Sequence, residues 1–339
     1  MPSTLDLESD RLPQTILEVE DLKSYFYTEA GVVKAVDGVS FTVNKGEPLG
    51  LVGESGSGKT VTALSVLRIV PHPGRVVSGK ITFHDEDLLA KTEKEMRRVR
   101  GKQIGYVSQD PNSSLDPLFT VESQLTEVVM AHEKLSNEVA SERVLKLLQL
   151  VKIPEPEARL KAYPHELSGG MRQRIAIARA LAAEPDLLIA DEPTTNLDVT
   201  IQAQVLELLK DLERELEMAL ILITHDMGIV AEMAQKVVVL YAGRVAEVSH
   251  VKEIFSAPKH PYTAALLQAV PRIDKKRELV PIPGSIPNLI TPPSGCRYHP
   301  RCGYMIDKCV SIEPTLERVG EGREVSCHRW RELSLGESS

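Results

Sequence analysis

Gly53-Glu54-Ser55-Gly56-Ser57-Gly58-Lys59-Thr60 decides how the rest of the chain is read. It follows the apolar run Pro48–Val52 and precedes a segment with Ala63, Leu64, Val66 and Leu67 at helical spacing. The stretch is therefore a glycine-rich turn between a buried strand and a helix. Its glycines let backbone N–H groups turn inward at the positive end of that helix, where they cradle a phosphate. In such a loop Lys59 bridges the β- and γ-phosphates, and the Thr60 hydroxyl binds Mg²⁺. The pattern GxxxxGK[ST] is matched without a departure. Its strand and helix context separates it from a plain glycine turn with a solvated lysine.

A phosphate loop needs an acidic partner at the end of a neighbouring strand. Leu187-Leu188-Ile189-Ala190-Asp191-Glu192-Pro193 supplies one, about 130 residues further on. Asp191 is suited to hold the Mg²⁺ shell, and Glu192 to polarise a water for in-line attack on a γ-phosphate. Leu187–Ala190 and Leu220–Thr224 are short, continuous apolar runs, as strands buried on both faces of a parallel sheet require. Ile16–Glu20, Val32–Val36 and Val39–Val43 alternate instead, with a turn at Glu29-Ala30-Gly31, and predict a half-buried antiparallel sheet. From about 86 to 165 the pattern turns helical, with Ser136 capping Val139, Val144, Leu147, Leu148 and Val151. Val237–Tyr241 and Arg244–Val248 form a hairpin across Ala242-Gly243. Nine prolines crowd residues 258–300 and exclude long regular structure there.

Composition narrows the classes. Hydrophobic residues at 42% and charged residues at 26% are those of a globular protein. A net charge of −8 argues against broad nucleic-acid binding. No apolar run approaches the eighteen residues of a membrane span, and Met1–Ile16 lacks the basic-then-apolar order of a secretory signal. The expectation is a flexible leader over 1–16 on a soluble, cytoplasmic protein.

Leu167-Ser168-Gly169-Gly170-Met171 stands directly before the helical stretch Arg172–Leu181, a second anion-binding helix start in the same chain. At this point the chain resembles the ATP-binding-cassette (ABC) family, in which that element closes over the γ-phosphate of the partner subunit's ATP. The resemblance spans residues 17–250. It implies that Gln109 touches Mg²⁺ and the attacking water, that Asp198 lies on the loop crossing the dimer interface, and that His225 senses the γ-phosphate. Among Tyr25, Phe26 and Tyr27, it favours Phe26 as the adenine-stacking aromatic. Within the family the chain looks most like the ATPase subunits of oligopeptide/dipeptide permeases. The carriers are Ser108-Gln109-Asp110-Pro111, Tyr163-Pro164-His165-Glu166-Leu167, His260-Pro261-Tyr262-Thr263, and the tail Pro292-Pro293-Ser294-Gly295-Cys296 with Pro300-Arg301-Cys302.

The implied fold is a P-loop α/β cassette over 17–258, with an antiparallel β subdomain, a helical insertion near 86–165 and a small proline-rich domain over 259–339. The implied function is ATP hydrolysis driving peptide import. Its partners would be two transmembrane permease subunits, a second ABC ATPase and, indirectly, an extracytoplasmic substrate-binding protein, at the cytoplasmic face of the membrane. Relatives of this branch also serve nickel and oligosaccharides. A soluble, non-transport cassette ATPase is the rival, but it would carry a long coiled-coil insertion or a second cassette, and this chain has neither.

Residues 1–295 contain no cysteine, whereas Cys296, Cys302, Cys309 and Cys327 fall within 32 residues. In a reducing compartment such clustering reads as metal ligation before disulfides. Four thiolates suit either a [4Fe–4S] cluster, which the resemblance implies, or a structural zinc. The gaps of five, six and seventeen residues form no CxxC pair, and His299 and His328 are close enough in sequence to be alternative zinc ligands.

Overall fold

The structure is a computed structural model that describes residues 14–195, 197–270 and 281–336. Its strands are β1 (Thr15–Thr28), β2 (Gly31–Asn44), β3 (Leu49–Val52), β4 (Gly74–Phe83), β5 (Glu86–Asp87), β6 (Ile104–Val107), β7 (Leu187–Asp191), β8 (Ala219–Thr224), β9 (Lys236–Tyr241), β10 (Arg244–His250), β11 (Glu317–Gly320) and β12 (Arg323–Val325). The apolar runs are the centre of the molecule. β6, β7, β8, β3 and β9 lie side by side in parallel, and β3, β7 and β8 are buried at every position. The sheet continues antiparallel through β10, β12 and β11. A second sheet, ordered β2-β1-β4-β5, is wholly antiparallel, as the alternation between Ile16 and Val43 predicts. Of the leader expected over 1–16, only the end lies within the described residues, and Thr15 and Ile16 already belong to β1.

The helices are α1 (Lys59–Val66), α2 (Glu93–Val99), α3 (Pro111–Ser114), α4 (Val121–His132), α5 (Asn137–Leu150), α6 (Pro156–Arg159), α7 (Gly169–Leu181), α8 (Val199–Glu215), α9 (Met227–Met233), α10 (Val251–Ser256), α11 (Pro261–Gln268) and α12 (Asp307–Ser311). The stretch 86–165, expected to be helical, opens instead with β5, α2 and β6. Ile104, Gly105 and Val107 are buried, and β6 pairs with β7 as the outer strand of the parallel sheet. A four-residue apolar run is too short for its period to distinguish helix from strand. The helical insertion proper starts at Pro111. Thr120 and Ser136 cap α4 and α5 by accepting the N–H of Ser123 and Val139. Val129, Val144 and Leu148 from these helices join Ile175 and Ile177 of α7, Val205 and Leu209 of α8, and Leu188 and Leu220 of the sheet in one buried cluster. The insertion is thus fastened to the sheet through α7.

The tail is stitched into the same sheet. Glu247 of β10 is fully buried and accepts hydrogen bonds from the backbone N–H groups of Lys259 and His260. It also accepts one from Arg323 Nη2 of β12 at 2.9 Å. Arg323 donates to the Ala257 carbonyl as well. Removing one member of a buried pair strands the other charge away from water. Arg323→Met should therefore lower unfolding stability by about 3 kcal/mol, measured by urea denaturation. A loss below about 1 kcal/mol would show that β11 and β12 lie outside the cooperative core.

Candidate functional site

The phosphate loop joins β3 to α1, and its shape depends on two glycines. A Cβ on Gly58, whose φ is 104°, would meet the Ala35 carbonyl oxygen at 2.4 Å, and one on Gly53 would meet the Leu240 carbonyl oxygen at 2.2 Å. No side chain fits at either place. Ser57 is fully buried, and its Oγ has no hydrogen-bond partner among the described residues. Ser55 and Gly56 face the open side of the loop. Lys59 is nearly buried, and its Nζ donates to the Gly53 and Glu54 carbonyls at 2.7 and 3.0 Å. Burial pushes the Lys59 ammonium below its ordinary range, against the charges of Glu192, Asp191 and Glu54, which favour protonation.

Parallel pairing of β3, β8 and β7 carries the acidic strand end to this loop. Asp191 is fully buried and accepts the Tyr106 hydroxyl at 3.0 Å, while its Oδ1 has no partner. Burial raises the Asp191 carboxyl above its usual range, over the opposing effects of Thr60, Tyr106 and Lys59. An orphaned carboxylate oxygen beside a threonine hydroxyl is a donor set that a hard cation such as Mg²⁺ suits, and a cation there would reverse the shift.

Glu192, one residue on, has φ 45°, a left-handed backbone unusual for glutamate. The conformation brings its carboxylate to three side chains. Gln109 Nε2 and Thr195 Oγ1 each donate to Oε2 at 2.9 Å, and His225 Nδ1 lies 3.3 Å from Oε1. Gln109, Glu192 and His225, far apart in sequence, therefore meet at one point. With Lys59 and Thr60 they line a cavity of about 1020 Å³.

Other predicted residues lie elsewhere. Ser168 caps α7 by accepting the Met171 N–H, and Gly170 packs so closely on Ile201 that a Cβ would meet its Cγ2 at 2.6 Å. Asp198 caps α8, accepting from Thr200 and Ile201. Neither the Ser168-Gly169-Gly170 turn nor Asp198 lines the Lys59 cavity in this chain. Of the three adjacent aromatics, Tyr25 donates to Asp37, and Tyr27 is exposed under the Arg75 guanidinium. The half-buried Phe26 ring abuts Gly74.

Sequence reasoning overlooked the far wall of the cavity, which is built by Leu266, Ile282, Gly284 and Ile286 of the tail. It also missed two contacts to Glu54. The Tyr262 hydroxyl accepts the Glu54 N–H at 2.9 Å, and Arg301 pairs with the Glu54 carboxylate. Glu54 occupies an unspecified position of the loop motif, so the motif carries no signal for either contact.

The four cysteines and His299 and His328 line one small cavity. The backbone closes it, with Cys296 N–H donating to the Cys309 carbonyl and Cys302 N–H to that of His299. His299 Nδ1 and His328 Nε2 are engaged by the carbonyls of Cys296 and Ile312. Burial, with neighbouring thiols adding, pushes Cys296 up to about 12 and Cys327 up to about 11. Among the described residues no three His, Cys, Asp or Glu side chains form a group that could hold a metal ion.

Residues 36–195 match the family model described as ABC transporter, and residues 246–309 match that described as oligopeptide/dipeptide transporter, C-terminal region. The dipeptide transport ATP-binding protein of Escherichia coli is 46% identical over 314 residues, covering 92% of this chain and 96% of its own. The oligopeptide transport ATP-binding protein of Bacillus subtilis is 50% identical over 309 residues, covering 90% and 86%. Among solved structures, the dimeric structure of a bacterial ABC transporter cassette superposes with a TM-score of 0.63 at 26% identity, covering 70% of this chain and 99% of that one.

Proposed function

The chain belongs to the ATP-hydrolysing subunits of ABC transporters, and we propose that it energises import of di- and oligopeptides with the residues assembled around Lys59 and Glu192. The carrying observation is the convergence of Gln109, Thr195 and His225 on the Glu192 carboxylate in the cavity lined by Lys59. Lys59 and the loop N–H groups hold the β- and γ-phosphates of ATP. Thr60 and Asp191, with Gln109 nearby, would hold Mg²⁺, which when bound offsets the phosphate charge. Glu192 accepts a proton from the water that attacks the γ-phosphorus, as the bond from that phosphorus to the leaving ADP oxygen breaks. Gln109 and His225 orient the carboxylate and register the γ-phosphate beside it. Phe26 is assigned to stack on the adenine.

Ser168, Gly169 and Gly170 do not line the cavity around the chain's own Lys59, and this supports a site completed by a second cassette, with Asp198 at the junction. We assign that cassette to a related ATPase. No helix among the described residues is long and apolar enough to cross a membrane. The pathway is therefore assigned to two permease subunits at whose cytoplasmic face this protein docks, fed by an extracytoplasmic peptide-binding protein. Leu118 and Phe119, 78% and 52% exposed, follow directly on the Gln109 segment and offer the apolar contact.

Cys296, Cys302, Cys309 and Cys327 are assigned a [4Fe–4S] cluster. The supporting observation is that all four cysteines line one small cavity. The number and softness of the donors suit a cubane, and ligation would supply folding energy to a proline-rich tail.

Three measurements test this reading. Glu192→Gln should retain MgATP binding but lose hydrolysis by about 10² or more, since an amide cannot take the water's proton. Lys59→Ala should instead lose nucleotide affinity. Normal turnover in Glu192→Gln would displace it as the base. Leu118→Asp in the assembled transporter should abolish uptake while the paired cassettes, free of the permease subunits, hydrolyse ATP normally. Equal loss of both activities would remove the coupling role. Anaerobically purified protein should be brown with roughly four irons per chain, and Cys302→Ser should bleach it. Colourless protein with one zinc per chain would overturn the cluster.

A further inference from the structure

Arg301 lies in the turn between Cys296 and Cys302, and its side chain is 5% exposed. Its guanidinium reaches across to the phosphate loop. Nη1 and Nη2 donate to the two oxygens of the Glu54 carboxylate at 2.6 and 3.0 Å, a bidentate pair. Nη1 also reaches the Tyr241 hydroxyl at 3.3 Å, and Nε donates to the Pro283 carbonyl at 2.7 Å. One side chain thus ties the phosphate loop to strand β9 and to the tail segment whose Ile282, Gly284 and Ile286 wall the nucleotide cavity. The backbone N–H of Glu54 is held from the same side by Tyr262, which is fully buried.

The position of the Glu54 carboxylate makes this pair matter for binding. Glu54 lines the same cavity as Lys59 and acts electrostatically on the Lys59 ammonium. A carboxylate free to move there would do two things. It would pair with Lys59, the cation that must receive the phosphates, and it would repel the triphosphate as that arrives. A bidentate arginine prevents both, because its planar fork fixes the two oxygens and supplies the compensating charge.

We propose that Arg301 is a positioning residue of the nucleotide site, which by clamping the Glu54 carboxylate keeps it off Lys59 and locks the phosphate loop to the tail wall of the cavity. The inference rests on the reading of this loop as the ATP site.

The test uses the full chain and MgATP binding by isothermal titration, together with steady-state ATPase. Arg301→Met should raise the MgATP dissociation constant and KM about tenfold, the effect of one uncompensated charge at a partly screened site, with kcat changed less than about twofold. Arg301→Lys should fall between, since it keeps the charge and loses the fork. The decisive variant is the double Arg301→Met/Glu54→Gln. With the competing carboxylate gone, affinity should return to within about threefold of wild type, although the lost Tyr241 and Pro283 contacts keep its melting temperature low. Wild-type affinity in Arg301→Met, or a double variant as weak as the single, overturns the proposal and leaves Arg301 a purely structural anchor. If Arg301→Met does not fold, Arg301→Lys alone and Arg301→Lys/Glu54→Gln give the same comparison. A wild type that binds no MgATP would instead overturn the reading of the loop itself.

Discussion

An ammonium group held almost out of water among three carboxylates governs the architecture of this chain. Lys59 sits at the start of a helix, where the peptide dipoles already favour anions, and burial destabilises its charge. Asp191 and Glu192 come from a strand two places away in the sheet, and Glu54 from the loop itself. Each has its own way of not collapsing onto the lysine. Asp191 is engaged by Tyr106 and Glu192 by Gln109, Thr195 and His225, while Glu54 is drawn aside by Arg301. Lys59 meanwhile donates to loop carbonyls. These are weaker partners than a carboxylate and readily exchanged for phosphate oxygens.

This arrangement needs the strand order that the sheet has. With β3 between β9 and β8, and β7 next to β8, the carboxyl ends of β3, β7 and β8 present the phosphate loop, Asp191-Glu192 and Thr224-His225 along one edge. Gln109 follows the end of β6, the outermost parallel strand, and leads directly into the helical insertion. Glu192 and the chain leading into the insertion are thus joined by one hydrogen bond, from Gln109 Nε2 to Oε2. The insertion is also packed onto α7, the helix that Ser168 caps, through the cluster shared by α4, α5 and α7.

What could be read from the sequence follows the range of each interaction. The phosphate loop, the acidic strand end and the caps of α5 and α7 are local, since the residues that carry the chemistry also set the backbone within a few positions. Glu192 and His225 were legible because each directly follows a buried apolar strand, which fixes where it must emerge. β6 hid inside an apparently helical stretch because four apolar residues have no period of their own. The contacts of Glu54 were illegible for another reason: Arg301 is 247 residues away, and nothing local distinguishes a loop glutamate that points at the phosphates from one pulled off them.

The same long-range logic explains how a proline-rich tail with little regular structure is held to the cassette. Three tail arginines each take one carboxylate of the cassette: Arg297 pairs with Asp37, Arg301 with Glu54 and Arg323 with Glu247. All three arginine side chains are at most 10% exposed. An apolar interface of similar extent would tolerate sliding, whereas a buried guanidinium accepts only the geometry that satisfies it and is stranded by any other. The pairs fall on β2, the phosphate loop and β10, so together they fix the tail against both sheets and the nucleotide cavity. Two of the three arginines are next to a ligand candidate in sequence, Arg297 to Cys296 and Arg301 to Cys302. The turn that carries Cys296 and Cys302 therefore also carries two of the three guanidinium groups, one of them paired with Glu54 of the phosphate loop.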